Sequence, residues 1–189
     1  MNIFRQTYTD YTDEALMRAI AQRNEQAFAE LYDRYSPRMY RFFFRMLWRD
    51  AGKAEDFTQE IFLKIIEKPQ LFDPARNFKT WIYTLASNLC KNEYRRPPPP
   101  EMSWEEPSLW DDSLPEKIDK ALFDQHLRRS IGELGEAHKQ CFVLRYQEEL
   151  SVAEIAEIVG CPEGTVKSRL YHALRQVVAQ MEGWKSESY

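Results

Sequence analysis

Residues 151–175, SVAEIAEIVGCPEGTVKSRLYHALR, constrain the fold more than any other stretch of the chain. Ser151 precedes an apolar run and Glu154 lies three residues on, the reciprocal capping pattern that starts a helix. Ile155, Ala156 and Val159 fall on one face of that helix. Gly160 follows the last apolar residue, where helices commonly end in a left-handed conformation that glycine enters without steric cost. Pro162 suits the start of a second helix, on which Val166, Leu170 and Leu174 recur at four-residue spacing as the expected buried stripe. A small residue at 156 lets the two helices cross closely, and the pattern fits a helix-turn-helix. The second helix is then expected to expose Glu163, Thr165, Lys167, Ser168, Arg169, Tyr171, His172 and Arg175. Donors and cations of this kind read base edges and phosphates. A helical hairpin with a solvated polar face is the alternative; turn chemistry that agrees with both helix faces favours the DNA-reading pair.

Upstream, the chain reads as helices throughout. Residues 12–23 are amphipathic, with Ala15, Leu16, Ala19 and Ile20 on one side. Residues 25–48 carry Phe28, Leu31, Tyr35, Met39, Phe42, Phe43 and Met46 at helical spacing, and Pro37 is expected to kink or divide that element. Its many aromatic residues read as core. Residues 53–68 place Ala54, Phe57, Ile61 and Ile65 inward and Glu55, Asp56, Gln59 and Glu60 outward. After a turn with two prolines, residues 79–96 resume as helix, with Ile82, Leu85, Ala86 and Leu89 as the buried stripe. Trp81, Thr84, Asn88, Lys91, Asn92 and Arg95 form a second stripe of aromatic plane, amides and cations. That mixture suits single-stranded nucleic acid, whose bases stack on aromatic faces while cations hold phosphate. A surface helix with one half-buried tryptophan is the better explanation of this segment in isolation.

Four prolines, Pro97 to Pro100, stop the helix and open an acidic, Pro-containing stretch. The chain as a whole carries −4, but residues 97–124 hold eight acids and two lysines, which leaves the remainder slightly basic. The division expected is therefore a first helical domain over 1–96, a linker over 97–122, and a second helical domain over 123–189. Trp104, Leu109, Trp110 and Leu114 are apolar for a tether, which points to a linker that docks, and its acids are placed to compete with nucleic acid for a basic channel. In the second domain, Leu127, Ile131, Leu134, Cys141, Phe142 and Leu144 face inward, and the tail after Met181 reads as frayed. The fold class is all-α, two small helical domains.

Three unevenly spaced cysteines, Cys90, Cys141 and Cys161, and three scattered histidines make no metal pattern, so the thiols read as buried and free. No apolar run reaches membrane-spanning length, and the N-terminus lacks a secretory pattern, which reads as a cytoplasmic protein. No Gly-rich phosphate loop, metal cluster or nucleophile–base pair is present, so neither enzyme chemistry nor a cofactor is expected.

Taken in order, these stretches resemble the extracytoplasmic-function (group IV) sigma factors of bacterial RNA polymerase. LSVAEIAEIVGCPEGTVKSRLYHAL resembles the family's region 4, AFAELYDRYSPRMYRF its region 2.1, AEDFTQEIFLKI its region 2.2, and FKTWIYTLASNLCKNEYRR its regions 2.3 to 2.4. The resemblance implies a promoter-specificity subunit that binds core polymerase and changes no covalent bond. It implies docking on the β′ coiled coil through Asp56, Phe57, Gln59, Glu60 and Phe62. It implies contact with melted −10 DNA through the loop from Phe72 to Phe78 and through Lys79, Trp81, Asn88, Lys91, Asn92 and Arg95. Lys167, Ser168, Tyr171 and His172, with Thr165, Arg169 and Arg175, match the helix that reads −35 duplex. Contact with the β flap and control by an anti-sigma factor are also implied. Departures are His172 where arginine is common, and Leu134-Gly135 where Leu-Pro is usual. An operator-binding repressor with the same helix-turn-helix is the runner-up; it leaves the acidic face and the aromatic–amide stripe unexplained.

Overall fold

The computed structural model describes residues 8–95 and 115–187, with side chains over 8–95 and 122–182. Among the described residues all regular structure is helical. Helix α1 (Asp13–Ala21) starts where the Thr12 hydroxyl accepts the Ala15 amide, and α2 (Glu25–Met46) where the Asn24 side chain accepts that of Ala27. Asp50 and Asn77 cap α3 (Ala51–Glu67) and α4 (Phe78–Tyr94) in the same way. Each such cap is worth about 1 kcal/mol. A 3₁₀ turn, Pro69–Leu71, separates α3 from α4. The second half comprises α5 (Pro115–Gly132), α6 (Glu136–Tyr146), α7 (Val152–Val159) and α8 (Glu163–Glu187).

Several boundaries depart from expectation. Helix α2 runs unbroken through Pro37. Proline removes only one donor, and the buried side chains of Tyr35, Met39, Phe42 and Phe43 hold both flanks in register. Helix α5 begins at Pro115, before the expected start at Phe123; proline at a first helical position forfeits an amide that has no intrahelical partner anyway. Helical backbone also continues past Met181 to Glu187. The proposed docking of Trp104, Leu109, Trp110 and Leu114 and the charge role of the linker up to residue 114 lie outside the described residues.

Helix α2 packs along both α3 and α4, burying Leu31, Met39, Phe42, Phe43, Ile61, Ile65, Phe78 and Ile82. The N-terminal segment is tied to this core by Arg34. Its guanidinium donates to Asp13 and Glu30 at 2.8 Å each and to the carbonyls of Tyr8, Thr9 and Tyr11. Glu14 reaches across to accept the Phe78 amide at 3.0 Å, and that bond holds the Glu14 carboxyl below its ordinary value. A depressed carboxyl stabilises the fold above its unfolded value and ceases to do so as pH falls through its folded one. Glu14→Gln is therefore expected to lower stability at pH 7 and to do so by a smaller margin at about pH 3, since the carboxylate's advantage is lost as pH falls through its folded value. Urea titrations at the two pH values check this.

In the second half, Ile131, Leu134, Phe142, Ala173 and Val177 form a small cluster of α5, α6 and α8. Cys90 and Cys141 are buried, Cys161 is half-buried, and all three thiols are free. The two halves do not stand apart on the linker. Helix α7 packs on α4 and α6 on α2, and Val143, Leu144, Leu150, Ile155, Ile158 and Val159 join the core of the first half.

Candidate docking and nucleic-acid surfaces

Helix α3 carries the first surface. Asp56 and Gln59 are exposed, and Glu60 is half-exposed and paired with Lys64 at 2.6 Å. Gln59 also lines a groove of about 370 Å³ between α2 and α3, walled by Tyr32, Ser36, Pro37, Tyr40, Glu55 and Thr58. Phe62 is not on this surface. It is 3% exposed and lies against Phe28 and Tyr32, with ring centroids 6.1 and 4.6 Å away. Phe57 is half-buried, edge-on to Phe43 at 5.5 Å. Both support the surface from below. Leu63 and Ile66, in contrast, are 54% and 50% exposed and prolong the stripe of Asp56, Gln59 and Glu60 at helical spacing. The sequence reading missed them, although apolar residues off the core face of an amphipathic helix were the available signal.

The second surface is the loop before α4 and the outer side of that helix. Phe72 and Phe78, expected at the DNA, are buried instead and pack on each other at 5.5 Å and on Trp81 at 5.2 and 5.7 Å. The loop hangs between these two anchors, with residues 73–77 exposed. Asp73 accepts the Ala75 amide at 3.0 Å and Asn77 the Thr80 amide at 2.9 Å, which fixes its backbone. Trp81 is half-buried on the aromatic pair, and Asn88, Asn92 and Arg95 form an exposed row. Lys79 and Lys91 depart from that row. Each is half-buried and donates to the second half of the chain: Lys79 to the Glu148 carbonyl at 2.8 Å, Lys91 to the Val159 carbonyl at 3.2 Å.

The third surface is α8. Ser151 and Glu154 form the reciprocal cap, with Ser151 Oγ accepting the Glu154 amide at 3.2 Å and Glu154 Oε2 the Ser151 amide at 2.8 Å. The Ser151 hydroxyl also donates to Glu154 Oε2 at 2.7 Å, and that bond is the main cause of a lowered Glu154 carboxyl. Gly160 ends α7 at φ 71°, ψ 42°, the left-handed geometry that turns the chain into α8. Val166 and Leu170 are buried as expected, but Leu174 is 44% exposed, and Ala173 and Val177 take its place. Steps of four residues drift about 40° each around a helix of 3.6 residues per turn, so the buried face moves back one position. Lys167, Ser168, Tyr171, His172 and Arg175 point outward, with Arg175 5.8 Å over the Tyr171 ring. Thr165 and Arg169 are half-buried, and Arg169 turns back to the Cys161 sulfur at 3.7 Å rather than out with its neighbours. Among the described residues, no three His, Cys, Asp or Glu side chains are grouped to hold a metal.

A sequence profile for Sigma-70 region 2 matches residues 31–97, and one for Sigma-70 region 4 matches residues 124–177. The chain is 35% identical over 184 residues to the ECF RNA polymerase sigma factor RpoE of Cereibacter sphaeroides, covering 92% of this chain and 97% of that one. It belongs to the extracytoplasmic-function sigma factors. The sigma factor SigW of Bacillus subtilis is 30% identical, covering 87% of this sigma factor and 94% of the relative. The fold is shared with CnrH in complex with the cytosolic domain of CnrY, at a TM-score of 0.68 and 20% identity over 90% of this chain and 97% of that one. It is shared as well with RpoE of Bartonella quintana bound to the anti-sigma factor NepR, at 0.65 and 21% over 82% and 96%. The region 2 match takes in most of α2 and all of α3 and α4, and the region 4 match covers most of α5 through α8. The two surfaces of the first half thus lie in region 2 and the third in region 4. This displaces the operator-binding reading.

Proposed function

We propose that this sigma factor docks on the β′ coiled coil of core polymerase through α3, engages separated −10 strand through the loop 72–78 and the row Asn88, Asn92 and Arg95, and reads −35 duplex through Lys167, Ser168, Tyr171, His172 and Arg175. The observation that carries this is the exposed stripe of Asp56, Gln59, Leu63 and Ile66 beside an open groove, a mixed polar and apolar face that a soluble domain alone has no use for. Phe72 and Phe78 act as anchors of the −10 loop rather than as contacts. Promoter opening is then differential binding: an extruded base held by the loop and α4 is stabilised relative to paired DNA, with stacking worth about 1–3 kcal/mol per base. The protein acts by binding, without a cofactor, in the cytoplasm. The exposed Tyr146, Leu174 and Val178 offer region 4 an apolar face for the β flap. An anti-sigma factor of the kind seen on the Bartonella relative is a proposed partner.

Native gels of the purified chain with core RNA polymerase test the docking. Wild type is expected to bind, and Asp56→Ala with Gln59→Ala to weaken association about tenfold or more, since a few central contacts dominate such interfaces. Failure of the folded wild-type chain to bind would reject the assignment of α3.

A further inference from the structure

We propose that the corner between α2 and α3 positions the DNA row of α4: Trp48 and Lys53 pin the last turn of that helix from the side away from Asn92 and Arg95. The pinning is read from contacts; its consequence for DNA rests on the function proposed above.

Helix α4 ends poorly on its own. It runs to Tyr94, and Arg95, Arg96 and four prolines follow, with no glycine to close the turn. A residue before proline is pushed away from helical geometry, and the last carbonyls of a helix have no partner within it. Ends of this kind fray unless something holds them from the side. Yet Asn92 and Arg95 sit in and just past this turn, exposed, and the −10 strand is assigned to them.

Three contacts hold the turn, and all come from one corner. Lys53, in the first turn of α3, donates to Glu93 at 2.5 Å, and Glu93 is only 7% exposed. The Tyr94 hydroxyl donates to the carbonyl of Met46, the last residue of α2. Trp48 stands edge-on to Tyr94 with ring centroids 5.2 Å apart, and Lys53 Nζ lies 5.5 Å from the indole. The Lys53 pair has a second effect. Glu93 is the one acid among residues 78–95, and a freed carboxylate there would repel the phosphates that the row holds.

The backbone of the corner shows that the indole is not there to make the turn. Trp48 and Arg49 have φ 51° and 61°, two successive left-handed residues, neither of them glycine. A bulky side chain in that region is strained and persists only where its surroundings hold it. The turn itself is closed by main-chain bonds, Arg49 amide to Phe44 carbonyl at 2.9 Å and Asp50 amide to Leu47 carbonyl at 3.0 Å. Glycine would make the same turn without strain. What glycine would lack is the ring that meets Tyr94 and keeps the Lys53 ammonium beside a buried carboxylate. Trp48 is therefore a positioning residue, acting through the last turn of α4.

Trp48→Gly separates these roles, because it keeps the turn and removes the ring. In the free full-length chain it is expected to speed amide hydrogen exchange across residues 91–95 about fivefold or more, with helical circular dichroism unchanged. With core polymerase and a heteroduplex pre-opened over the −10 segment, it is expected to bind about fivefold more weakly. The salt dependence should flatten by about 0.7 in slope, one single-strand phosphate contact. Asn92→Ala with Arg95→Ala sets the scale, and adding Trp48→Gly to that pair is expected to lose nothing further. A tryptophan with a merely structural role would add its loss in full. If Trp48→Gly fails to fold, Lys53→Met is read in the same assays, and Lys53→Arg is expected to restore both readouts. Unchanged exchange in a folded variant overturns the pinning whatever the DNA does. Faster exchange with additive losses overturns the positioning. Affinity left untouched by Asn92→Ala with Arg95→Ala instead rejects the DNA row itself, and the positioning with it.

Discussion

Phe78→Ala is expected to destabilise the region 2 half by about 3–5 kcal/mol, the usual cost of emptying a fully buried phenylalanine site. Phe78 has no solvent exposure, and three aromatic rings meet it: Tyr35 at 5.0 Å, Phe72 at 5.5 Å and Trp81 at 5.7 Å. Flat rings cannot collapse into the space as a flexible methionine could, so the cavity term should be near its upper range. The loss is large against a total stability of about 5–15 kcal/mol for a domain. It also has a functional side. Phe78 opens α4 while Phe72 closes the turn after α3, so removing the ring frees both ends of the exposed loop between them. Urea denaturation followed by tryptophan fluorescence measures the first effect, since Trp81 packs on the missing ring. Heteroduplex DNA with a pre-opened −10 segment measures the second, at a temperature where the variant remains folded. Phe78→Leu should recover most of the stability. If the alanine variant were as stable as wild type, the anchoring assigned to this pair would be wrong.

The contrast between Phe78 and its neighbours shows what the sequence could and could not disclose. Local signals were legible: the cap of Ser151 with Glu154 and the left-handed turn at Gly160 rest on contacts within one or two helical turns, and periodicity found Val166 and Leu170 on the core side of α8 although it also placed the exposed Leu174 there. Aromatic residues around the loop before α4 were legible as important, but their direction was not. Phe62, Phe72 and Phe78 look inward because residues distant in the chain, such as Tyr32 and Tyr35, come to meet them. The same holds for α4. Periodicity marked Ile82, Leu85, Ala86 and Leu89 as its buried stripe, yet Leu85 and Leu89 are only half-buried while Tyr83, Ser87 and Cys90 are buried, because a second half of the chain covers that side. Lys79 and Lys91 read as DNA cations by composition. Nothing in their spacing shows that carbonyls near residues 148 and 159 hold them. Arg169 is a similar case, since its partner sulfur lies in the turn eight residues back, off the i+3/i+4 pattern by which helix surfaces are read.

Lys167→Ala with Ser168→Ala is expected to cut −35-dependent initiation about a hundredfold, because a good base-edge contact discriminates by about 1–3 kcal/mol and two are removed. Both side chains are exposed on α8 and neither enters the seam with region 2. The fold should hardly notice. The exposed pair of Lys167 with Glu163, 3.8 Å apart, contributes at most about 1 kcal/mol, and alanine is the better helix former. Arg169→Ala is the informative control: its guanidinium turns back to Cys161, so its loss should loosen the turn between α7 and α8 rather than relax promoter choice. Run-off transcription on promoters with intact and scrambled −35 elements separates these outcomes. The paired variant should lose the difference between the two templates while native gels show unchanged association with core. A variant that instead lost core association would place α8 on the polymerase side and require the reading face to be sought elsewhere on region 4.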